Sequence, residues 1–362
     1  MKYTINTPEG TRDLLFAECR DRRRVQAALT GLFRRRGYAE VSTPEVEFYD
    51  IFLQSGNPMP QEAMLKIIDR SGKIMVMRPD CTTPIARVAA TKLRTMTLPQ
   101  RLYYQQTVFR SGAEHRGGSS EIAQCGVEGV HVELGHAGFF RDLAVRMDLD
   151  GEATERMRLL IEGKNFAALN DLLEPYAGRP ACAALKRLSR LFGGVEVLDE
   201  AEALAGENEA VAYLRALYGE LSAAGYGGAV RFDLGMVHQI DYYTGVVFRG
   251  YVEGAGAPVL SGGRYDKLCE AFGRPAPATG FAVDVDAVAG CLPTEEPPCV
   301  GTLIHFGPGG LARALRAVDG RVAGSCEISP CATLEATMAL AREKGACSVL
   351  VLEEDGERMV SV

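Results

Sequence analysis

Thr107-Val108-Phe109-Arg110, the polar glycine-rich stretch Ser111 to Ser120, and Glu121-Ile122-Ala123-Gln124-Cys125-Gly126-Val127-Glu128 form the segment that decides the fold. Two β-rich runs joined by turn-forming residues predict a long hairpin. The first run reaches back to Arg101. In the second, Gln124 and Glu128 alternate with apolar residues and share one face of the strand. A carboxylate on an inward face must be paired or hydrogen-bonded, so such a face implies a cationic or donor-rich partner.

Working outward, Lys73 to Arg78 is another β-rich run entering Pro79, and Thr82 opens a helix to about Lys92 with Pro84 in its first turn. Toward the N-terminus, Leu14, Leu15, Val25, Ala28, Leu29, Leu32 and Phe33 recur at helical spacing and predict a helix over Thr11 to Arg36, stopped by Gly37. Its Arg22-Arg23-Arg24 and Arg34-Arg35-Arg36 runs read as a solvated face with cations at the helix C-terminus, a partner surface being the alternative. Tyr38 to Val41 is a short strand, broken at Thr43-Pro44. From Gly135 to about Glu220 the pattern is helical. Strand character returns at Gly228 to Leu234 and Tyr243 to Tyr251. Ser261-Gly262-Gly263-Arg264-Tyr265-Asp266 is expected to lead into a helix, and Thr279 to Val285 is a last strand. Pro293-Thr294-Glu295-Glu296-Pro297-Pro298 is a linker. Beyond it strand and helix alternate. The fold class is α+β, with a main domain over 1–292, a linker over 293–298 and a small C-terminal α/β domain over 299–362.

Composition bounds the function. A formal charge of -7 over 362 residues argues weakly against a nucleic-acid binder. No apolar run approaches a membrane span and no signal peptide is evident, so a cytoplasmic protein is expected. The ten cysteines include no Cys-x-x-Cys pair and are read as reduced, and the five histidines are dispersed, so no metal site is signalled. Phosphate loops and the Gly-x-Ser-x-Gly elbow are absent. Gly117-Gly118 and Gly262-Gly263 read as turns before phosphate cradles. Asp241-Tyr242-Tyr243-Thr244-Gly245 sets aromatics beside an acid. Acids, an amide and tyrosines suit a small amphoteric ligand with an amine or imidazole, a satisfied core network being the alternative.

These residues carry a resemblance to the histidyl-tRNA synthetase group of class II synthetases over most of Thr7 to Val288. Thr7-Pro-Glu-Gly-Thr-Arg-Asp13 resembles the N-terminal segment and Gly37-Tyr-Ala-Glu-Val-Ser-Thr-Pro44 resembles motif 1. Thr107 to Arg110 with Gln124 to Glu128 resembles motif 2. Asp241 to Gly245 and Ser261 to Asp266 resemble the histidine-recognition segments, and Gly280-Phe-Ala-Val283 resembles the start of motif 3. The resemblance implies the class II synthetase-like antiparallel sheet flanked by helices. It also implies histidine-binding roles: Asp80 and Glu128 on the α-ammonium or a ring nitrogen, Tyr243 and Tyr265 as walls with Tyr242 beside them, and Gln124 as orienter. His238 either approaches the ligand carboxylate or is structural.

The departures bear on activity. His238 stands where the synthetases have an arginine that contributes to activation. Ala287 takes the place of the motif 3 arginine, Gly112 and Ala113 replace a Glu and an Arg of the motif 2 loop, and Ile122 replaces an adenine-stacking aromatic. Asp284 adds an acid. Arg110 survives as a residual phosphate or anion contact. Electrostatic stabilisation at phosphorus is the main catalytic term in adenylate formation, so activation is expected to be lost. A retained amino-acid pocket without its ATP site resembles the regulatory-subunit family of ATP phosphoribosyltransferase, as does Arg78-Pro-Asp-Cys-Thr-Thr-Pro-Ile-Ala-Arg87. That likeness implies a non-catalytic chain with no cofactor and no catalytic residue of its own. Its implied partners are a short-form catalytic subunit, histidine as feedback ligand, and a second copy through the motif 1 region, with neither tRNA nor membrane. A divergent synthetase and an adaptor of another enzyme are the alternatives. Gly129 runs directly into Val130, where the resemblance implies a helical excursion.

Overall fold

The computed structural model describes residues 6–7, 11–53, 61, 64–110, 121–124, 131–237, 243–293, 301–320, 325–353 and 356–362, the side chains of 121–124 and 180 excepted. The chain divides into two units, Met1–Leu292 and Pro293–Val362.

The first unit is organised by a six-stranded sheet. Its order is Thr279–Val283, Leu260–Arg264, Val246–Tyr251, His131–His136, Val230–Asp233 and Phe192–Gly193. Neighbours are antiparallel except His131–His136 with Val230–Asp233, which run parallel. Leu134 and Phe232 on one face join Phe139, Leu143, Met147, Met157, Leu185 and Leu198 from the helices between Ala137 and Ala223 in the largest core. Each such side chain contributes about 1.5–3 kcal/mol on full burial. The other face carries Gly135, Val247, Gly263 and Gly280 side by side across four strands.

The N-terminal helix runs over Ala17–Arg35 and buries Val25 and Leu29. It starts later than the apolar spacing predicts, because Phe16 has φ 42° and no side chain caps the first turn. Ala39–Glu40 pairs in parallel with Leu102–Tyr103. The run from Arg101 to Arg110 is two strands, Leu102–Tyr103 and Gln106–Phe109, and the latter pairs antiparallel with Glu121–Gln124. Val46–Phe48, Ile74–Met77 and Lys66–Ile68 form a three-stranded sheet. The expected helix at Thr82 spans Thr82–Ala90 with Pro84 inside its first turn. The helix expected after Ser261 is corrected: Leu260–Arg264 is a strand, and only a single 3-10 turn, Glu270–Phe272, follows.

The second unit is a four-stranded sheet ordered Cys326–Ile328, Thr302–Phe306, Ser348–Glu353 and Gly356–Ser361. The first three strands are parallel and the last antiparallel. Helices Leu311–Asp319 and Leu334–Glu343 pack on it through Ala314 and Ala341.

Candidate functional site

The glycine row of the main sheet is the floor of the site. At Gly263 a Cβ would lie 2.6 Å from Cδ1 of Tyr243, and at Gly280 one would lie 2.9 Å from the Tyr265 hydroxyl. The two rings therefore rest directly on the strands, tilted at 60° with centroids 6.4 Å apart. Tyr243 is buried with Met236 and Val247, and Tyr265 packs against them. Two short links hold the tyrosine-bearing segments in place. Thr244 N donates to Arg264 O at 2.7 Å, and its hydroxyl accepts from Asp266 N at 3.0 Å. Tyr265 N donates to Ala278 O at 2.7 Å. Behind the floor, Arg141 Nη2 donates to Tyr243 O at 3.2 Å and Arg264 Nε pairs with Asp266 at 2.9 Å.

The remaining wall comes from the segment that opens Thr82–Ala90. Asp80 is buried. One carboxylate oxygen accepts from Thr83 N at 2.8 Å and the other from the Thr83 hydroxyl at 3.1 Å, so Asp80 caps the helix. Burial raises the Asp80 pKa, while Thr83 and Arg110 pull it down. Burial also pushes the Cys81 thiol up to about 12. Tyr104 is pushed well above the usual phenol range by burial and then by the neighbouring Cys81, Asp80, Tyr265 and Tyr243. Tyr265 moves the same way, by burial and by Tyr243, Cys269 and Asp80. These mutual effects place Asp80, Cys81, Tyr104, Tyr243 and Tyr265 near one another. The cluster sets three phenols and a thiol beside one buried acid.

The structure thus brings Asp80, Tyr243 and Tyr265 together and adds Tyr104 and Cys81, which the sequence reading did not single out. Strand alternation is the missed signal: Tyr103 stacks on Phe33 at 5.4 Å and donates to Glu40, which leaves Tyr104 on the opposite face. Gln124 is placed by its backbone opposite Gln106. Glu128, His238 and Tyr242 lie outside the described residues, as do Gly112 and Ala113. Arg110 donates Nε to Pro79 O at 2.8 Å and so helps to fix the Asp80 segment. Among the described residues no group of His, Cys, Asp and Glu could hold a metal, and none of the described cysteines forms a disulfide.

The position that departs from the synthetase pattern is acidic. Asp284 accepts from Ala287 N at 2.9 Å and caps the short helix Val285–Gly290. Asp286 lies 3.2 Å from Arg22 Nε, and burial raises its pKa against the opposing pull of Arg22. Two carboxylates, Asp284 and Asp286, therefore stand at the start of this helix.

A family model described as histidyl-tRNA synthetase matches residues 10–130 and 125–288. The protein is 40% identical to an ATP phosphoribosyltransferase regulatory subunit of Clostridium kluyveri, over 80% of this chain and 82% of that one. It is 35% identical to one from Clostridium novyi, over 96% of this chain and 92% of that one. The crystal structure of an ATP phosphoribosyltransferase regulatory subunit/histidyl-tRNA synthetase from Bacillus halodurans shares its fold with a TM-score of 0.83. That match has 27% identity and covers 97% of this chain and 99% of that one. Histidyl-tRNA synthetase from Nostoc matches in fold with a TM-score of 0.76 at 17% identity. The two family-matched stretches meet at 125–130, which includes the Gly129-Val130 junction. The chain belongs to the histidyl-tRNA synthetase-like family of ATP phosphoribosyltransferase regulatory subunits.

Proposed function

We propose that this chain binds histidine in the tyrosine-walled pocket and transmits its presence to a separate catalytic subunit of ATP phosphoribosyltransferase, which carries out the first step of histidine biosynthesis. The observation that supports this reading is a contrast between two segments: Tyr243 and Tyr265 pack on the glycine floor near the buried Asp80, while the segment that resembles motif 3 carries Asp284 and Asp286. Glu128 and Asp80 hold the ammonium or a ring nitrogen, Tyr243 and Tyr265 wall the ring, and Gln124 orients it. By the resemblance Tyr242 belongs with these residues, and His238 either approaches the ligand carboxylate or is structural. Feedback follows if histidine binds two states of the complex with different affinity. The chain also pairs with a second copy through its motif 1 region, and works in the cytoplasm without tRNA. No described helix is long and apolar enough to cross a membrane.

The test has two arms. The purified chain is expected to bind histidine saturably by isothermal titration and to show no histidine-dependent ATP–pyrophosphate exchange. Glu128→Ala should weaken binding by about 2 kcal/mol or more, since a charge-assisted contact is lost. Robust exchange, or unchanged affinity in that variant, would contradict the reading. Co-expression with a short catalytic subunit, assayed for phosphoribosyl transfer with and without histidine, tests the regulatory half.

A further inference from the structure

The second unit holds a buried polar chain between its sheet and one helix. His305 stands on the inner strand Thr302–Phe306, and alternation puts it with Leu303 on the face covered by the helix Leu334–Glu343. Its ring Nδ1 lies 2.9 Å from the hydroxyl of Thr337 on that helix. The Thr337 hydroxyl lies 2.7 Å from that of Ser329, which accepts in turn from Cys331 N at 3.2 Å. His305 is 8% exposed, Ser329 3% and Thr337 0%. The far end of the chain is a surface loop, in which Pro330, Ala332 and Thr333 are exposed. Ser329 N donates to Ile304 O at 2.8 Å, and Thr333 caps the helix by accepting from Ala336 N at 3.2 Å. Ser329 is therefore the point at which the chain grips the loop.

Proton counting fixes the direction of the chain. The Cys331 N–H can only donate, so Ser329 Oγ receives that bond. Among the described residues the hydroxyls of Ser329 and Thr337 have no further partner. With a neutral ring, Ser329 O–H donates to Thr337, Thr337 O–H donates to Nδ1, and the ring proton sits on Nε2. Every hydroxyl proton then has an acceptor. An imidazolium carries a proton on Nδ1 and cannot accept there. Nδ1 must donate to Thr337 and Thr337 to Ser329, so the Ser329 proton is left buried without an acceptor, which is costly. The ionisable side chains of the packed elements stand at exposed positions: Glu335, Arg342 and Glu343 on the helix, Glu327 paired with Lys344, and Arg358, level with His305 beyond Val351, paired with Glu353. Arg313, Arg316 and Asp319 belong to the helix on the other face. Burial alone lowers the His305 pKa. The unfolded chain takes up the proton more readily, so stability present above the ordinary 6.5 is lost as pH falls.

We propose that this chain is a proton-operated latch: protonation of the His305 ring reverses the hydrogen bonds through Thr337 to Ser329 and loosens residues 329–333 at the head of the helix. The latch lies in the second unit and does not rest on histidine binding. The test uses NMR on the full chain. At pH 7.5 the His305 ring is expected as the Nε2–H tautomer, read from its side-chain nitrogen shifts. Between pH 7.5 and 5, hydrogen exchange corrected for intrinsic rates should show amide protection over 329–336 falling about ten-fold, with the midpoint of the His305 titration. Thr337→Val removes the middle link and should leave that protection equally low at both pH values while the ring still titrates. If that variant does not fold, Ser329→Ala, which has no hydroxyl proton to strand, should likewise abolish the pH dependence. An Nδ1–H tautomer at pH 7.5, protection that ignores the His305 titration, or a fall that persists undiminished in the variants would overturn the proposal.

Discussion

Gly280 and Asp284 lie four residues apart at the edge of one sheet, yet their surroundings differ in kind. Gly280 keeps the floor low enough for Tyr265, and Asp284 fills the next helix start with negative charge. The cations follow the same division. Arg141 and Arg264 brace the backbone behind the tyrosines, and Arg22 is held at the acidic end by Asp286. An aromatic pocket demands shape, which glycines and short backbone links supply. A phosphate site demands field, which one or two charges can reverse. Shape is therefore harder to keep than field is to lose.

The largest effect should come from breaking the shape. Gly263→Ala puts a methyl 2.6 Å from the Tyr243 ring and 2.8 Å from Val246 O. One neighbour is backbone, so the ring must leave its seat. Destabilisation of about 3 kcal/mol is expected, at the upper end for overpacking, together with loss of histidine binding. Urea denaturation and isothermal titration measure the two; a variant with parental stability and affinity would show that the floor does not set the pocket.

The cations behind the floor give a pH test. Burial, then Arg141 and Arg264, hold His136 at about 4, below its ordinary 6.5. The unfolded chain thus binds more protons between these values, so stability present above pH 6.5 is lost as pH falls toward 4. His136 Nδ1 accepts from Gly138 N at 3.0 Å, a cap that asparagine can reproduce. His136→Asn should remove about 2 kcal/mol of this acid-side loss, allowing for partial exposure to solvent. Denaturation midpoints at pH 4.5 and 7 check it, and an unchanged difference between them would place the acid sensitivity elsewhere.

Asp80 belongs to both kinds of requirement, since it caps a helix and carries the charge of the pocket. Asp80→Asn retains an acceptor for Thr83 N and removes the charge. Its burial raises the native pKa above the unfolded one, so the charged form is already a cost at neutral pH and the variant should not lose stability. Histidine affinity should fall about ten-fold, roughly 1.4 kcal/mol. Unchanged affinity would reduce Asp80 to a cap.

The clustering of Asp80, Tyr243 and Tyr265 was legible because these residue types are unusual where they stand: an acid before a helix, and tyrosines beside glycines. Its construction was not. Gly262-Gly263 reads as a turn and is the middle of a strand, bare because a ring covers Gly263 while Phe281 and Phe248 crowd Gly262. Tyr104 cannot be told from Tyr103 until pairing assigns each a face. Lys66–Ile68 has three residues, too few for a period to appear, and Gly356–Ser361 interleaves Glu357, Arg358 and Met359 as an exposed edge strand. Such elements exist through their partners and not through their own pattern.

The smallest expected effect tests the other end of the site. Ala287 donates its backbone N–H to Asp284, so the side chain of an Ala287→Arg variant would start one turn from Asp284 and next in sequence to Asp286. A guanidinium there pairs with them before it meets phosphate, and ATP–pyrophosphate exchange should stay at background. Asp284→Ala removes the cap and should cost about 1 kcal/mol of stability, again without exchange. Restoring the charge alone cannot rebuild the site if the surrounding acids define the field. Exchange appearing in Ala287→Arg would mean that one missing arginine was the whole difference, and the division between kept shape and reversed field would fail.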